Sequence, residues 1–206
     1  MLTIKKAFEK LMKLLRSIKP VQPLPIRLEP FLWERMEEFS PANEEVLVAQ
    51  GEVPKYAYYI IRGYIHLYFI CDKGIKHVAR FYKEDRIVAL LSFLERKKSP
   101  CYIIAGRDTL LSRVSHQDMQ EIYDSMEGMK EFAMLTVLEH DHAKEQLRES
   151  IRGLAAEERV LKFYRVYGFL LPAERARLDE EIASYLGMAV RTLVRHRTKL
   201  ISDGLI

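Results

Sequence analysis

The 206-residue chain has little cysteine and only a small excess of positive charge. Its two cysteines, Cys71 and Cys101, lie far apart without CxxC spacing, which excludes a disulfide framework or a metal site built from cysteine alone. No apolar run approaches the roughly 20 residues that cross a bilayer. The formal net charge is +4, so a basic surface requires local clustering. These absences predict a globular protein of the reducing cytoplasm that does not enter a membrane.

Recognisable catalytic and metal-binding patterns are absent as well. The sequence contains no G-x-S-x-G motif, and no His and Asp at triad spacing accompany Ser92, Ser112 or Ser115. His140 and His142 face different sides of a predicted helix and make a poor metal site. His66 and His77 alternate within predicted strands and are interpreted as surface residues. We expect no catalytic site, no metal and no cofactor.

The amino-terminal segment has the pattern of a basic amphipathic helix. Apolar residues recur at helical spacing between lysines and arginines, at Ile4, Phe8, Leu11, Leu15 and Ile18. It lacks the apolar core and cleavage site of a secretory signal. Packing against the next domain or a dimer partner is the favoured interpretation, and lying on a membrane surface is the alternative. Four prolines follow, between residues 20 and 30, and a short helix is predicted over Phe31–Phe39.

From Glu45 to Ser115 the pattern changes to short apolar runs rich in Val, Ile, Tyr and Phe. The runs are Val46–Val48, Tyr58–Ile61, Tyr64–Ile70, Lys76–Phe81, Cys101–Ala105 and Leu110–Val114. Asp72–Gly74 is a hairpin loop between two of them. Many short strands at regular spacing indicate an antiparallel roll or sandwich, not βαβ units.

Helical spacing returns after the strands. A short helix is predicted over Ser115–Tyr123 with Ser115 as its N-cap, and another over Ala155–Phe169. Between them, Met129–Ile151 is about twice the mean helix length of ~11–12 residues. One side of it carries a narrow stripe, apolar at both ends and polar near His140: Phe132, Leu135, Thr136, Glu139, Ala143, Leu147 and Ile151. This stripe predicts a dimer seam, with a single core-packed helix as the alternative.

The last thirty residues, Arg177–Ile206, predict two helices joined by a tight turn. Glu180–Leu186 runs into Gly187, and Val190–Ile201 follows at once. The second helix carries five basic residues: Arg191, Arg195, His196, Arg197 and Lys199. Two helices joined by a glycine-containing turn, the second basic, are typical of a helix-turn-helix that sets one helix into the DNA major groove.

In this order, a β-roll, a long helix and a terminal helix-turn-helix resemble the Crp/Fnr family of bacterial transcription regulators. The resemblance covers nearly the whole chain and rests on several short motifs: Gln50–Glu52, Tyr58–Ile65, Phe81, Ser92–Leu94, Glu157–Val160 and Ile182–Gly187. It implies an α+β protein with a β-roll (jelly roll) sensor domain over 1–128 and a dimerisation helix over 129–152. A (winged) helix-turn-helix domain would occupy 153–206. The implied partners are a second copy through 129–152, a palindromic site in double-stranded DNA, an unidentified small-molecule effector, and RNA polymerase.

The resemblance also locates the residues that would read DNA. Val190, Arg191 and Arg195 match the positions that usually face base edges, and the predicted DNA-binding set is completed by Thr192, His196 and Lys199. Arg191 and Arg195 are four apart and share a helix face, so both can grip guanine. The family's usual Arg and Glu are replaced by Val190 and Arg191, which predicts a different half-site. Arg197 and Lys199 are candidates for phosphate contacts, and a merely solvated basic face is the alternative.

In the cyclic-nucleotide-binding members, a cassette supplies a Gly-Glu pair for the ribose and an Arg for the phosphate. Here Val88–Leu90 stands at the first place and Ser99–Cys101 at the second. A buried phosphate without a paired Arg is costly, so we expect that cAMP does not bind. An effector cavity is predicted at the corresponding residues: Ala89, Leu90, Ser92, Ser99, Pro100 and Cys101.

The chain stops at Asp203–Ile206, where family members usually continue through a β-hairpin wing. Weaker or partner-assisted DNA binding is expected, and an artificial truncation would look the same. Two other functions stay open. One is a ligand-binding or protein-interaction module with a decayed helix-turn-helix, and the other is a cyclic-nucleotide receptor with a divergent cassette.

Overall fold

The computed structural model describes residues 2–18, 23–151, 153–171 and 178–206, without the side chains of residues 2, 3 and 139–148. The helices are α1 (Leu2–Ser17), α2 (Leu28–Arg35), α3 (Leu91–Leu94), α4 (His116–Ser125), α5 (Met129–Ile151), α6 (Ala156–Val166), α7 (Asp179–Leu186) and α8 (Val190–Ser202). The strands are β1 (Glu37–Phe39), β2 (Glu45–Val48), β3 (Tyr56–Arg62), β4 (Tyr64–Ile70), β5 (Lys76–Lys83), β6 (Ile87–Val88), β7 (Tyr102–Ala105) and β8 (Leu110–Ser115). A 3₁₀ turn over Gly168–Leu170 follows α6.

Two four-stranded sheets form a roll, with strand orders β1-β8-β3-β6 and β2-β7-β4-β5. The described pairings are antiparallel, as in Ala57 opposite Val114 and Glu38 opposite Ser112. The predicted antiparallel roll is therefore confirmed, and the fold is a mixed α/β arrangement with helices at its carboxy-terminal end.

Strand β3 is buried on both of its faces. Ala57 and Tyr59 pack into an apolar cluster with α1, α2, α4 and the start of α5. Tyr58 and Ile60 point to the opposite side because side chains alternate along a strand, and they are equally buried. Full burial of an aliphatic side chain such as that of Ile60 contributes roughly 1.5–3 kcal/mol. Packing of α1 against this sheet supports the domain-packing interpretation of the amino-terminal helix.

The turn between β3 and β4 requires glycine. Gly63 has φ +89, and a Cβ there would lie 2.6 Å from the Thr109 hydroxyl and 2.8 Å from its Cα. The same hydroxyl accepts from the Tyr64 amide and donates to the Tyr64 carbonyl. Glycine is therefore required here for two reasons, the positive φ and the close contact with Thr109.

Several local predictions were wrong or incomplete. The helix predicted over Phe31–Phe39 is instead α2, which starts at Leu28, followed by β1. Pro30 is tolerated because it lies in the first turn, where amides have no helical partner. Glu37–Phe39 becomes a strand because it pairs with β8, a long-range contact that local spacing does not reveal.

His66 is not a surface residue. Its side chain is 1% exposed and lies between the rings of Tyr64 and Phe81, with centroid distances of 6.2 and 5.9 Å. His77 is exposed, as predicted. The polar-face interpretation failed for His66 because β4, like β3, is covered on both faces.

The helix bounds after the roll match the predictions closely. Ser115 caps α4 by accepting a hydrogen bond from the Asp118 amide at 3.0 Å, and α5 covers Met129–Ile151. The stripe residues Glu139, Ala143 and Leu147, and the pair His140 and His142, have side chains outside the described set. In the parts of the chain that are described, no helix is long and apolar enough to cross a bilayer.

Contacts divide the chain into two compact units. The first contains residues 1–67 and 81–142, and the second contains residues 68–80, the tip of the β4–β5 hairpin, together with 143–206.

Candidate nucleic-acid interface and effector cavity

Helices α7 and α8 of the second unit are joined by a three-residue turn, Gly187–Ala189. Gly187 adopts φ +62, and the Met188 amide donates to the Ala183 carbonyl at 3.0 Å, which closes the end of α7. The Arg159 guanidinium donates to the Leu186 carbonyl at 2.6 Å. The turn is therefore fixed by the backbone and by α6, and α8 begins in a defined direction.

The inner face of α8 follows helical spacing. Leu193, Arg197 and Leu200 are buried at i, i+4 and i+7. The helix contacts α6 and α7, whose own buried residues include Val160, Phe163, Tyr164, Ile182 and Tyr185. A basic residue therefore occupies a core position. The helix is held by one apolar stripe with an arginine in its middle.

Arg197 is 6% exposed and forms a two-pronged ion pair with Asp179 at the start of α7. Its second nitrogen lies 3.0 Å from Asp179 Oδ2, and the guanidinium donates to the Tyr164 hydroxyl at 3.1 Å. Burial opposes the charged guanidinium, but the bonds to Asp179 and Tyr164 outweigh it and raise the pKa of Arg197. Arg197 staples α8 to α6 and α7, so the phosphate contact predicted for it is wrong.

The outer face of α8 presents Arg191 and Arg195, both exposed and four residues apart. Among the described residues, no carboxylate forms an ion pair with either guanidinium, and Arg195 lies 3.3 Å from His196 Nε2. Thr198 is exposed seven residues after Arg191 and continues the same face. Sequence reasoning missed Thr198, although its i+7 spacing from Arg191 was the available signal.

Two further predicted residues, His196 and Lys199, are engaged by α6. Lys199 Nζ lies 2.8 and 3.0 Å from the two carboxylate oxygens of Glu157, and His196 Nδ1 lies 3.3 Å from one of them. The hydrogen bond from Lys199 lowers the pKa of Glu157, and the same bond raises the pKa of Lys199. Any phosphate contact by Lys199 has to compete with this carboxylate.

Val190 and Thr192 occupy the first turn of α8. Val190 is 38% exposed and Thr192 is half-buried. Val190 can offer a base edge only an apolar contact, of the kind made with a thymine methyl.

On its other side, α7 contacts the hairpin tip that belongs to the same unit. The Ser184 hydroxyl accepts from the Val78 amide at 3.0 Å and donates to the Lys76 carbonyl. Lys76 Nζ also lies 2.7 Å from Glu181 and 4.3 Å from the centroid of the Tyr68 ring. Because β5 is an edge strand, Ser184 satisfies backbone groups that would otherwise be left open.

In the cassette segment of the first unit, no buried basic side chain is placed to bind an anion. Ser99 is 2% exposed, and its hydroxyl donates to the Cys101 carbonyl at 2.6 Å. Ser92 and Cys101 are buried, Leu90 is half-buried and Pro100 is exposed. The neighbouring cations Arg96, Lys97 and Lys98 are exposed, and Lys97 pairs with Glu95 at 2.8 Å.

A cavity of about 100 Å³ lies instead between the outer face of the first sheet and the surrounding helices. It is bounded by side chains of α1, α2, α4 and α5 and by the segment after β6. Of the six predicted effector residues, only Ala89 lines it. The sequence could not locate this cavity because its walls come from segments that are distant along the chain.

In the described residues, no three His, Cys, Asp or Glu side chains are grouped so that they could hold a metal ion. Cys71 and Cys101 are both free thiols.

Residues 39–126 match the family model of the cyclic nucleotide-binding domain. Over 170 residues the chain is 23% identical to the transcriptional activator protein Anr of Pseudomonas aeruginosa, covering 79% of this chain and 69% of that protein.

Solved structures agree on the fold. FixK2 of Bradyrhizobium japonicum superposes with a TM-score of 0.64 at 21% identity, over 82% of this chain and 86% of the other. A protein from Eubacterium rectale assigned to the Crp/Fnr family gives a TM-score of 0.65 at 15% identity, over 88% and 85% of the two chains.

Proposed function

Because the chain contains a cyclic nucleotide-binding-type domain and its matches support assignment to the Crp/Fnr family of transcription regulators, we propose that it is a dimeric, sequence-specific DNA-binding regulator. In this proposal α7 and α8 form a helix-turn-helix and α5 pairs with its copy in a second chain. The protein acts in the cytoplasm, on transcription by RNA polymerase, and it is not an enzyme.

The observation that carries the proposal is the difference in burial among the arginines of α8. Arg197 holds the helix in place through Asp179, while Arg191 and Arg195 remain exposed on one face without a carboxylate partner among the described residues. An arginine pair at i and i+4 can reach guanines in one major groove, and each bidentate contact is worth about 1–3 kcal/mol of discrimination. Val190 and Arg191 stand where the family usually has Arg and Glu. Because arginine binds guanine and valine can contact a thymine methyl, the preferred half-site contains guanine and thymine.

A palindromic DNA site is best matched by a dimer. Two recognition helices that lie roughly 34 Å apart engage half-sites one helical turn apart, and the site is a palindrome because the dimer has a two-fold axis. Leu138 of α5 is 53% exposed, an apolar side chain that a second helix would cover.

Cyclic-nucleotide binding is the second candidate, favoured by the family model that matches residues 39–126. Against it, Ser99 is closed onto Cys101, and the nearby cations Arg96 and Lys98 are exposed. A cyclic phosphate needs a buried charge-paired donor, which the described cassette residues do not offer. Calorimetry with cAMP and cGMP decides: micromolar binding would replace our proposal of a cAMP-independent regulator.

The central test is selection of binding sites from random double-stranded DNA by the purified chain. We expect enrichment of a palindrome, and we expect Arg191→Ala plus Arg195→Ala to abolish the enrichment, with a loss of about 2–6 kcal/mol in specific affinity. Arg165→Ala removes an exposed arginine of α6 and is the matched control, which should retain the enriched site. If no sequence is enriched, or if the double variant still selects the same palindrome, the reading role of this face is refuted.

A further inference from the structure

The cavity beneath the first sheet has walls without any charged group. Its twenty lining residues are aliphatic, aromatic, methionine or threonine side chains. The polar groups among them are hydroxyls with local roles: Tyr59 donates to Asp85 at 2.9 Å, and Thr136 donates to the Phe132 carbonyl at 2.8 Å. Burial raises the pKa of Tyr58 to about 12, so that hydroxyl stays neutral. A charged ligand would lose its hydration here without finding a partner.

The size of the cavity limits its occupant. At about 100 Å³ it is smaller than the ~150 Å³ apolar cavity that stays dry and accepts benzene in another protein. Met36, Met119 and Met129 line it, and flexible thioether side chains can adjust to admit one ring. The aromatic side chains of Phe93 and Phe132 can meet such a ring edge to face.

The cavity is also placed to influence α5. Five lining residues lie in the first three turns of that helix: Met129, Phe132, Ala133, Thr136 and Val137. An occupant would therefore contact the helix that we propose as the dimer seam, at its beginning. Of the predicted effector residues the cavity shares only Ala89, although Ile87, Phe93 and Leu94 of the same segment also line it.

We propose that this cavity binds a neutral apolar molecule no larger than a single aromatic ring, and that this molecule is the effector. The binding claim stands by itself, whereas the effector role rests on the proposed function. A ligand with a carboxylate or a phosphate is excluded by the uncharged walls.

Binding is tested first without DNA, on the full chain with ¹³C-labelled methionine methyl groups. Titration with benzene should shift the signals of Met36, Met119 and Met129, while Met188, in the other unit, stays unmoved. Benzoate, which adds only a charged group, should leave all of these signals in place. Equal shifts at Met188, or no shift at saturating benzene, would overturn the binding claim.

Cavity-filling variants give an independent check. Ala133→Leu fills the cavity from α5 and Ala89→Leu fills it from the segment after β6, and each should weaken benzene binding at least about tenfold. Ala156→Leu makes the same change at the start of α6, away from the cavity, and should bind benzene like the unaltered chain. Two wall positions are used because, if one variant fails to fold, the other still tests the site. Unchanged affinity in a folded filling variant would refute this site.

The effector role is tested with the palindrome selected by the chain. Saturating benzene should change the DNA affinity of the unaltered protein at least about threefold, and should leave that of Ala133→Leu unchanged. Methionine shifts without any change in DNA affinity would refute the effector role and leave the binding site standing. Failure to select any palindrome would count against the proposed function, while the methionine result would still decide the binding claim.

Discussion

The arginines of α8 differ sharply in burial and in their partners. Arg197 is 6% exposed and bonded to Asp179 and Tyr164, whereas Arg191 and Arg195 are exposed. A buried charge is tolerated only with a partner, and removing one member of such a pair leaves the other uncompensated. We therefore propose that Arg197 serves stability and that Arg191 and Arg195 serve recognition.

Arg197→Ala should destabilise the second unit by about 3 kcal/mol, since Asp179 would lose its partner. Urea unfolding followed by circular dichroism measures the change. Arg191→Ala removes the same side chain from the exposed face and should cost less than about 0.5 kcal/mol. Equal stability of the two variants would contradict the stapling role. The paired change Arg197→Met with Asp179→Leu should recover most of the loss, because no buried charge then remains.

His116 gives the first unit a predictable response to pH. Burial lowers the pKa of His116 below its ordinary value of 6.5, and the charge of Arg96 acts in the same direction. The unfolded chain therefore binds this proton more readily than the folded one. The contribution to stability is complete above the unfolded pKa and is lost as the pH falls below 6.5 towards the folded pKa.

His116→Gln should flatten this part of the pH dependence, because glutamine does not titrate. Thermal unfolding of both proteins at about pH 7.5 and about pH 5.5 measures it, and the unaltered protein should lose more stability between the two conditions. An equal loss in both proteins would show that other groups cause the response. His77→Gln, at an exposed position of β5, serves as the control.

Along α8 the exposed and buried faces are separated by helical spacing, but one basic residue is restrained by a neighbouring helix. Glu157 of α6 holds Lys199 by two contacts and approaches His196. This carboxylate lies where a DNA phosphate would compete for the same ammonium group. We therefore expect Glu157 to weaken the sequence-independent affinity of the protein for DNA.

Glu157→Gln should strengthen binding to non-specific DNA and steepen its salt dependence by about one released counterion, because Lys199 becomes available to a phosphate. Fluorescence anisotropy at several salt concentrations measures both quantities. Glu131→Gln removes the same charge from an exposed position of α5 and should leave the slope unchanged. Identical slopes for the two variants would contradict the competition.

At the scale of the whole molecule, the chain is proposed to form a homodimer, and α5 is the helix that would join the two copies. Leu138 is exposed on it, on a different face from the predicted stripe, whose described residues Phe132, Thr136 and Ile151 are buried within the chain itself. An apolar side chain in that position is expected at a helix–helix seam.

Leu138→Glu should raise the dimer dissociation constant at least about tenfold, since the exposed leucine would be replaced by a charge at the seam. Sedimentation velocity over a concentration series measures the equilibrium. Val46→Glu, at an equally exposed apolar position on β2, is the matched control and should not alter it. Dimers of unchanged strength in Leu138→Glu would place the interface elsewhere.

By itself the sequence determined where most helices and strands lie, because hydrophobic spacing and turn residues act locally. The bounds of α5 and the N-cap of α4 both followed from such signals. The sequence also showed directly that the cassette lacks the Gly-Glu pair and the phosphate-binding arginine, since both depend only on residue identity.

Only the tertiary structure decided which side chains are exposed and which are buried or held in ion pairs. Charge alone could not reveal that Arg197 belongs to the core, because its partners lie 18 and 33 positions away. For the same reason, His66 was misplaced, β1 was missed, and the apolar cavity was unforeseen. Burial, ion pairing and empty volume arise where distant segments meet, and local spacing carries little information about those meetings.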